Sequence, residues 1–231
     1  MATYNREREY VRLLTERSYR VAELAKALYI SEPTVRRDII IMKKNELVEC
    51  KRGLVSLKTG SPDRRIPAFI REPQNSEEKR EIARRAAAHV KDGMVIMLDA
   101  STTAYHIVPY LADFKNILVI TSGARTALAL ASYGINTIST GGKLIAECYS
   151  YIGGDAERTL NSYNADIAFF SCRALTSDGI ATDTSIDENE IRKIMIKRAE
   201  KSYLLCDKSK IGQKAFNVLC DVKDVTGVIV D

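Results

Sequence analysis

The sequence predicts an α/β protein with two domains, a small N-terminal winged helix-turn-helix followed by a larger, Rossmann-like domain with a mostly parallel sheet. The first 60 residues show three helical patterns and then a hairpin, which is the element order of a winged helix-turn-helix. From Ser76 onward, short apolar strands alternate with helices, which is typical of a parallel sheet covered on both faces. A chain of 231 residues is long enough for both domains.

Three short helices are predicted before the hairpin. The first covers Asn5–Arg17 and the second lies near Ala22–Leu28, because apolar residues recur at helical spacing in both segments. Ser31 is a suitable N-cap for the third helix, which is predicted to run through about Asn45. Pro33 falls in the first turn of that helix, where a missing N–H costs little.

A hairpin with a basic tip follows the third helix. The apolar segments Leu47–Glu49 and Leu54–Leu57 flank a tip of sequence Cys-Lys-Arg-Gly, residues 50–53. Two short apolar segments around a glycine-containing turn predict a hairpin, here the wing.

A proline-rich segment separates the two predicted domains. Three of the five prolines fall within residues 60–75, so no regular element is expected there. We therefore predict a winged helix-turn-helix domain over residues 1–59, a linker over 60–75 and an α/β domain over 76–231.

The larger domain is predicted to alternate helices and strands. The helices are Glu77–Val90, Thr103–Ala112, Arg125–Ser132, Ala156–Ser162 and Glu188–Lys201. The strands are Met94–Leu98, Ile117–Thr121, Thr137–Ser139, Ile167–Ser171, Tyr203–Cys206 and Gly227–Val230. Because open α/β sheets bind ligands beyond the carboxyl ends of their strands, we expect a ligand site among the residues that follow these strands.

The excess positive charge lies in the first quarter of the chain. Of a net charge of +5, residues 1–60 hold 13 Lys and Arg against 8 Asp and Glu, whereas residues 61–231 hold 22 of each. Such a basic domain attracts a phosphate backbone. Charge alone leaves a merely basic surface as an equal alternative.

Composition argues against a membrane protein, a disulfide framework and a zinc site. No apolar run approaches the ~20 residues of a membrane span, and the charged first residues are unlike a signal peptide. We therefore expect a cytoplasmic protein. Five cysteines are scattered without a Cys-x-x-Cys pair or a histidine cluster, so we expect reduced thiols and no cofactor.

The third helix is the candidate for DNA recognition. Val35, Ile39 and Met42 follow the spacing of a core stripe. The residues off that stripe are polar or basic: Thr34, Arg36, Arg37, Lys43 and Lys44. In a major groove, arginine can donate two hydrogen bonds to guanine, and threonine can contact base edges or a thymine methyl group.

The alternative is a surface helix whose arginines pair with Glu32, Asp38 or Glu46. The helix-turn-helix context favours DNA recognition over this alternative.

The segment from Ile30 to Ile39, Ile-Ser-Glu-Pro-Thr-Val-Arg-Arg-Asp-Ile, resembles the recognition helix of the DeoR family of bacterial repressors, whose members have a pattern close to Val-Ser-x-x-Thr-Ile-Arg-Arg-Asp-Leu. The resemblance implies that the DNA contacts come from Ser31, Thr34, Arg36 and Arg37. The charge of the helix and of the wing adds three further candidates, Lys43, Lys51 and Arg52. The chain departs from the family at the wing, where members often have Arg-x-His-Gly-Gly-Ala.

Small or polar residues follow several predicted strands. They lie in Leu98–Thr103, Thr121–Gly123, Gly141–Lys143 and Asp207–Lys210. Hydroxyl groups, N–H groups at a helix start and lysine ammonium groups can together bind a phosphate or another anion. The alternatives are ordinary helix caps at the hydroxyl residues and solvated surface charge at the lysines.

These segments also resemble landmarks of the DeoR effector domain, as do residues 78–83 and 192–195, so the resemblance covers nearly the whole chain. That domain is similar in fold to ribose-5-phosphate isomerase, and family members typically respond to phosphorylated sugars. The pocket residues that the resemblance implies are Asp99, Ser101, Thr102, Thr103, Thr121, Ser122, Gly141, Gly142, Asp183 and Lys208. Thr121-Ser122 replaces the commoner Thr-Asn, and Ser101 stands where many members have Gly.

Two other functions are alternatives to a ligand-controlled regulator. Isomerase-like enzymes carry an Asp-Gly-Ala-Asp-Glu cluster and a Lys-Gly-Gly-Gly loop, of which Asp178–Asp183 is a partial echo. Glu188 and Arg192 are at i, i+4 spacing, which suggests a solvated ion pair rather than a catalytic acid. No catalysis is therefore expected. A DNA-binding protein without a ligand would not need a large α/β domain with polar strand ends.

We therefore expect an allosteric repressor of sugar-metabolism genes. It would be a homodimer or a higher homo-oligomer on double-stranded operator DNA, and a phosphorylated sugar would release it.

Overall fold

The computed structural model describes residues 2–44, 47–57 and 67–231. The chain divides into two compact units, one of residues 1–61 with 69–74 and the other of residues 62–68 with 75–231. Among the helices that the structure describes, none is both long and apolar enough to cross a bilayer.

The first unit consists of three helices and a three-stranded antiparallel sheet. Its elements are α1 (Ala2–Glu16), β1 (Tyr19–Arg20), α2 (Val21–Ala27), α3 (Glu32–Lys44), β2 (Val48–Lys51) and β3 (Leu54–Leu57). The strands are arranged β1-β3-β2. This is the predicted winged helix-turn-helix, with the additional strand β1 joining the hairpin. The predicted end of the third helix, Asn45, lies outside the described residues.

The wing turns through two residues. Arg52 and Gly53 have φ of 50° and 76°, and they connect Lys51 directly to its strand partner Leu54. Positive φ at both central residues is the geometry that matches the twist of a two-residue hairpin, and glycine adopts it without strain. Cys50 and Lys51, predicted in the tip, belong to strand β2.

A buried carboxylate fixes α1 against α3. Asp38 of α3 accepts hydrogen bonds from Arg6 Nε at 3.0 Å and from the Tyr10 hydroxyl at 3.3 Å. Burial, with Asp38 alongside, raises the pKa of Tyr10, so its hydroxyl remains a donor. The partner of Asp38 is therefore an arginine of α1, and neither Arg36 nor Arg37 is bonded to it.

The short helix α4 (Ala68–Arg71) lies inside the segment predicted as a linker, so the expectation of no regular element there is wrong for these residues. No proline falls between Pro67 and Pro73, which leaves room for one helical turn. Pro67 precedes that turn, where its missing N–H costs no helical hydrogen bond. Residues 58–66 of the predicted linker lie outside the described residues.

The second unit contains six helices. They are α5 (Ser76–Ala87), α6 (Thr102–Tyr105), α7 (Val108–Leu111), α8 (Ala124–Ser132), α9 (Gly154–Asn161) and α10 (Ile186–Arg198). Single 3₁₀ turns cover Lys208–Lys210 and Val222–Asp224.

A six-stranded parallel sheet forms the centre of this unit. Its strands are β4 (Val95–Leu98), β5 (Leu118–Thr121), β6 (Asn136–Ser139), β9 (Ala165–Ser171), β12 (Ala199–Leu205) and β14 (Gly227–Ile229). They are arranged β14-β12-β9-β4-β5-β6. Alternate residues face opposite sides: Ile96 and Leu98 pack with α5 to α8, whereas Met97 packs with α9 and α10. Because every pair in the sheet is parallel, all six strands end at one edge.

Two small antiparallel sheets complete the unit. One contains β10 (Ala174–Leu175), β11 (Ile180–Asp183) and β13 (Asn217–Asp221), and the other contains β7 (Lys143–Ile145) and β8 (Ser150–Ile152). The sequence did not predict them, because strands of two to five residues carry little periodic signal.

Two predicted helices have different bounds in the structure. The predicted helix Thr103–Ala112 is divided into α6 and α7, since Pro109 has no N–H to donate to the carbonyl of Tyr105. The predicted helix Glu188–Lys201 ends at Arg198, and its last residues begin strand β12.

Candidate nucleic-acid interface and ligand site

The recognition helix α3 is anchored by its apolar stripe. Val35, Ile39 and Met42 are buried, as the spacing predicted. Ser31 stands before the first turn, where its hydroxyl oxygen lies 2.8 Å from Thr34 Oγ1 and accepts a 3.4 Å bond from Thr34 N–H. Both hydroxyl groups are thus held at the start of the helix.

Four basic side chains of α3 are exposed: Arg36, Arg37, Lys43 and Lys44. Arg36 forms an exposed ion pair with Glu32 at 3.3 Å, as the alternative interpretation expected. Such surface pairs contribute about 0–1 kcal/mol, so a phosphate or base can replace Glu32 at little cost. Arg37 and the two lysines make no hydrogen bond or ion pair with another described residue. The remaining acid considered from the sequence, Glu46, is not among the described residues.

An open pocket lies beside the N-terminal half of α3. Its volume is about 460 Å³, and its lining comprises Arg6, Pro33, Thr34, Arg37, Asp38 and Ile41. Arg6 of α1 and Arg37 of α3 both line this pocket. The position of Arg6 could not be predicted from the sequence, because its contact with α3 spans 32 positions of the chain.

The wing presents its charges unequally. Lys51 is paired with Glu49 on its own strand at 2.9 Å. Arg52, at the turn itself, is exposed and makes no hydrogen bond or ion pair with another described residue. Lys51 is also exposed, and its surface pair with Glu49 is of the same weak kind as that of Arg36 with Glu32.

A buried arginine, Arg192 of α10, joins three parts of the second unit. Its Nε donates to Asp99 Oδ2 at 2.9 Å, and its Nη1 donates to Asp183 Oδ2 at 2.7 Å. Burial lowers the pKa of Arg192, but the carboxylates of Asp183, Asp99 and Glu188 outweigh it and raise the pKa above its ordinary value. The expectation of a solvated Glu188–Arg192 pair is wrong, because Arg192 is only 4% exposed and Glu188 is also buried.

Asp99 and Asp183 are therefore engaged by the protein itself. Asp99 directly follows strand β4 and also accepts the backbone N–H of Ser171 at 3.2 Å. Asp183 ends strand β11. Their carboxylates hold Arg192 between the central sheet and α10, so they position the loops around them.

The first strand-end loop carries three hydroxyl residues, one of which, Ser101, caps helix α6. Ser101 Oγ donates to Asp99 Oδ1 at 2.6 Å and accepts from Ala104 N–H at 3.1 Å, which makes it an N-cap. Thr102 and Thr103 are more than 90% buried, yet neither hydroxyl bonds to another described residue. Both hydroxyl groups remain accessible to solvent and so retain their capacity for a ligand.

The second loop lies against the first. A Cβ at Gly123 would lie 3.2 Å from Ala100 Cα and 2.7 Å from Thr126 Oγ1, so only glycine permits this approach. Thr121 Oγ1 accepts the Gly123 N–H at 3.0 Å. Ser122 is a buried residue, and its hydroxyl, like those of Thr102 and Thr103, bonds to no other described residue and remains accessible to solvent.

A cation lies beside these two loops. The guanidinium carbon of Arg125, in the first turn of α8, is 4.4 Å from the ring centroid of Tyr105 in α6. This cation–π contact places a positive charge between the helices that follow the two loops. The position of Arg125 beside Tyr105 could not be predicted from the sequence, where the residue only begins a predicted helix.

The glycine pair of the third loop has a packing role. A Cβ at Gly142 would lie 2.8 Å from the carbonyl oxygen of Ile152 and 3.1 Å from the backbone nitrogen of Ala156, and its φ is 99°. Gly141 lies beside it with open space around it. Close packing therefore accounts for the glycine at position 142, and the ligand role of the pair stays a prediction.

At the fourth loop, Lys210 rather than Lys208 points into the unit. Lys208 is 70% exposed and pairs with Asp231 at 3.4 Å. Lys210 is 18% exposed, and its Nζ lies 3.0 Å from Ser171 Oγ and 3.3 Å from Asp207 Oδ2. Burial raises the pKa of Asp207, but Lys210 and hydrogen bonds outweigh burial and lower it. Lys208 was the predicted pocket residue, but its helical neighbour occupies the inward position.

Family models match both units. A DeoR-like helix-turn-helix domain matches residues 8–59, and a DeoR C-terminal sensor domain matches residues 74–231. The chain belongs to the DeoR family. The resemblance noted in the sequence is thereby confirmed, and this DeoR-family member is a transcriptional regulator rather than an enzyme.

Its relatives are named as regulators. The HTH-type transcriptional regulator YulB of Bacillus subtilis is 34% identical, with 100% of this chain and 90% of the relative covered. The regulator GolR of Listeria innocua is 32% identical, with 92% and 84% covered. The L-fucose operon activator of Escherichia coli is 30% identical, with 95% and 90% covered.

Solved structures are similar to part of the chain. The δ subunit of eIF2B from Chaetomium thermophilum has a TM-score of 0.53 at 18% identity, with 70% of this chain and 58% of that chain covered. A ribose 5-phosphate isomerase from Methanocaldococcus jannaschii has a TM-score of 0.45 at 21% identity, with 60% and 55% covered. The DeoR-family chain thus spans little more than half the length of these structures.

Replacing Arg192 by Ala should destabilise the second unit strongly. Two buried carboxylates, of Asp99 and Asp183, would lose their cation, and breaking a buried ion pair from one side costs about 3–5 kcal/mol. Urea denaturation of the full chain, followed by circular dichroism, measures the loss. The matched control is Lys193→Ala on the same helix, which removes an exposed pair with Glu190 and should cost under about 1 kcal/mol. Equal stability of the two variants would contradict this account.

Proposed function

We propose that this DeoR-family protein is a repressor of sugar-metabolism genes that a phosphorylated sugar releases from its operator. The observation that carries the ligand half is a set of three hydroxyl groups, of Thr102, Thr103 and Ser122, on residues that are at most 7% exposed; none of them bonds to another described residue. None of the three oxygens is an enclosed atom without a partner, so they remain open to solvent, and at a strand-end edge they can hydrogen-bond a polar ligand.

A phosphate suits this edge better than a neutral group. Hydroxyl donors alone would accept many ligands, but Arg125 adds a fixed charge beside the first two loops. Lys210 joins the same edge through hydrogen bonds, since it donates to Ser171, whose N–H bonds to Asp99 of the first loop. Helix α6 has only four residues, so the hydroxyl groups and these cations, and not a helix dipole, would carry the affinity.

The sugar part of the proposal rests on relatives. One relative is named for the L-fucose operon, and it covers 95% of this chain. A sugar presents hydroxyl groups that pair with serine and threonine side chains in either donor or acceptor sense.

The DNA half of the proposal uses the exposed face of α3. In it Arg36 and Arg37 contact guanine edges, Ser31 and Thr34 contact bases or phosphates near the helix start, and Lys43 and Arg52 contact phosphates. Two copies of the chain would place two recognition helices in successive major grooves about 34 Å apart. Control by the sugar requires that it bind more tightly to the arrangement that does not fit the operator.

Removing both recognition arginines should abolish specific binding. Each bidentate contact with guanine contributes about 1–3 kcal/mol, so Arg36→Ala with Arg37→Ala should weaken operator affinity by about 30-fold or more. Fluorescence anisotropy with the DNA upstream of the protein's own gene, at fixed salt, measures this.

The control for that experiment is Arg84→Ala with Arg85→Ala. These neighbouring arginines are exposed on α5 and both pair with Glu81, so the control removes the same charge from the other unit. Unchanged affinity in the α3 variant, with its circular dichroism spectrum intact, would exclude α3 as the recognition helix.

A phosphorylated sugar should raise the melting temperature, and only one lysine of the fourth loop should matter. Ligand at 100 times its Kd contributes about 2.7 kcal/mol, or a rise of about 5–10 °C for a domain of this size. Differential scanning fluorimetry with a panel of sugar phosphates and the matching free sugars measures the rise. Thr102→Val with Thr103→Val, and separately Lys210→Met, should lose most of it, whereas Lys208→Met should keep it.

Two results would contradict the ligand proposal. A panel in which no sugar phosphate raises the melting temperature of the wild type removes the effector. A rise in melting temperature that Lys208→Met abolishes and Lys210→Met retains would show that Lys208, and not Lys210, binds the ligand.

A further inference from the structure

Ile40 is an apolar side chain on the outer face of α3. It is 68% exposed, whereas its neighbour Ile39 is buried in the core. An exposed isoleucine is unremarkable by itself on a protein surface. Its position on a recognition helix is what requires an explanation.

Four cations surround Ile40 on the helix surface. Arg36 and Arg37 precede it by four and three residues, and Lys43 and Lys44 follow it by three and four. Side chains at these spacings are neighbours on one helix face. Ile40 is therefore the apolar centre of a basic face, and no acidic side chain occupies any of these four neighbouring positions.

The surrounding charge decides what can cover this side chain. An apolar protein surface would have to desolvate the neighbouring cations without pairing them, which is costly. Duplex DNA instead offers phosphates for the cations on both sides of the major groove. On the groove floor, an A·T base pair presents the apolar 5-methyl group of its thymine.

We propose that Ile40 packs on a thymine 5-methyl group in each operator half-site and so determines a thymine preference at that base pair. This inference rests on the proposed role of α3 in DNA recognition. The contact adds apolar specificity to the polar contacts of the flanking arginines. It explains why an isoleucine lies exposed among the basic residues of α3.

Replacing thymine by deoxyuridine tests the contact, since deoxyuridine lacks only the 5-methyl group and pairs identically. Each thymine of the operator, on both strands, is replaced in turn, and affinity is measured by fluorescence anisotropy. Burying one methyl group is equivalent to about 4-fold in affinity, so a substitution at one symmetric pair of positions should weaken wild-type binding about 4-fold for each half-site.

Three variants identify the protein side of the contact. Ile40→Ala should bind the thymine operator more weakly and lose its response to deoxyuridine at that position. Ile40→Val retains a branched apolar side chain and should keep most of the response. Ile41→Ala, one residue along and half-buried beside the pocket, is the neighbouring control and should keep the response as well.

The outcomes separate this inference from the proposed function. Specific operator binding without any methyl-sensitive position, or a response that persists in Ile40→Ala, overturns the inference and leaves operator recognition by α3 standing. Absence of specific DNA binding by the wild-type protein overturns both. A response that is present in the wild type and in Ile40→Val but absent in Ile40→Ala supports the contact.

Discussion

The buried guanidinium of Arg192 is the interaction on which the ligand edge of the second unit depends. From helix α10 it binds the carboxylate that directly follows strand β4 and the carboxylate that ends strand β11. Through Asp99 the same network reaches Ser101 in the first loop and Ser171 at the end of β9, and from Ser171 it reaches Lys210. Four buried charges in one place, of Arg192, Asp99, Asp183 and Glu188, are costly unless each is paired, so this geometry tolerates little movement. The hydroxyl groups proposed to bind a ligand are attached to that rigid frame.

The first unit uses a buried carboxylate in a similar way. In the segment Arg36-Arg37-Asp38, the acid turns inward and pairs with Arg6 of α1, whereas both arginines remain on the outer face. The contacts that anchor α3 to α1 are therefore made by Asp38 and do not neutralise Arg36 or Arg37. The result is a helix that exposes four cations against one acid, Glu32, with the apolar side chain of Ile40 among the cations. Such a face is suited to a polyanion and can still discriminate between bases.

Much of this architecture could be predicted from the sequence. The periodicity of Val35, Ile39 and Met42 gave the buried stripe of α3, and the alternation of strands and helices gave the parallel sheet. Contacts between distant segments could not be predicted: the spacing of Glu188 and Arg192 suggested a solvated pair because nothing local indicates that Asp99, 93 positions earlier, pairs with the same arginine. Lys208 and Lys210 are both plausible by composition, and only the turn after β12 decides which one faces inward. Arg6 and Arg125 were missed for the same reason, since their roles depend on partners in other elements.

The central claim is that occupancy of the strand-end edge controls DNA binding by α3. The most direct test is the affinity for the upstream DNA of the protein's own gene, measured at fixed salt with a saturating sugar phosphate, with the matching free sugar and with neither. The account predicts that one sugar phosphate weakens binding by about 5–150-fold, the range of typical allosteric coupling, and that its free sugar does not. Specific binding that is identical under all three conditions, across the panel of sugar phosphates, would contradict it.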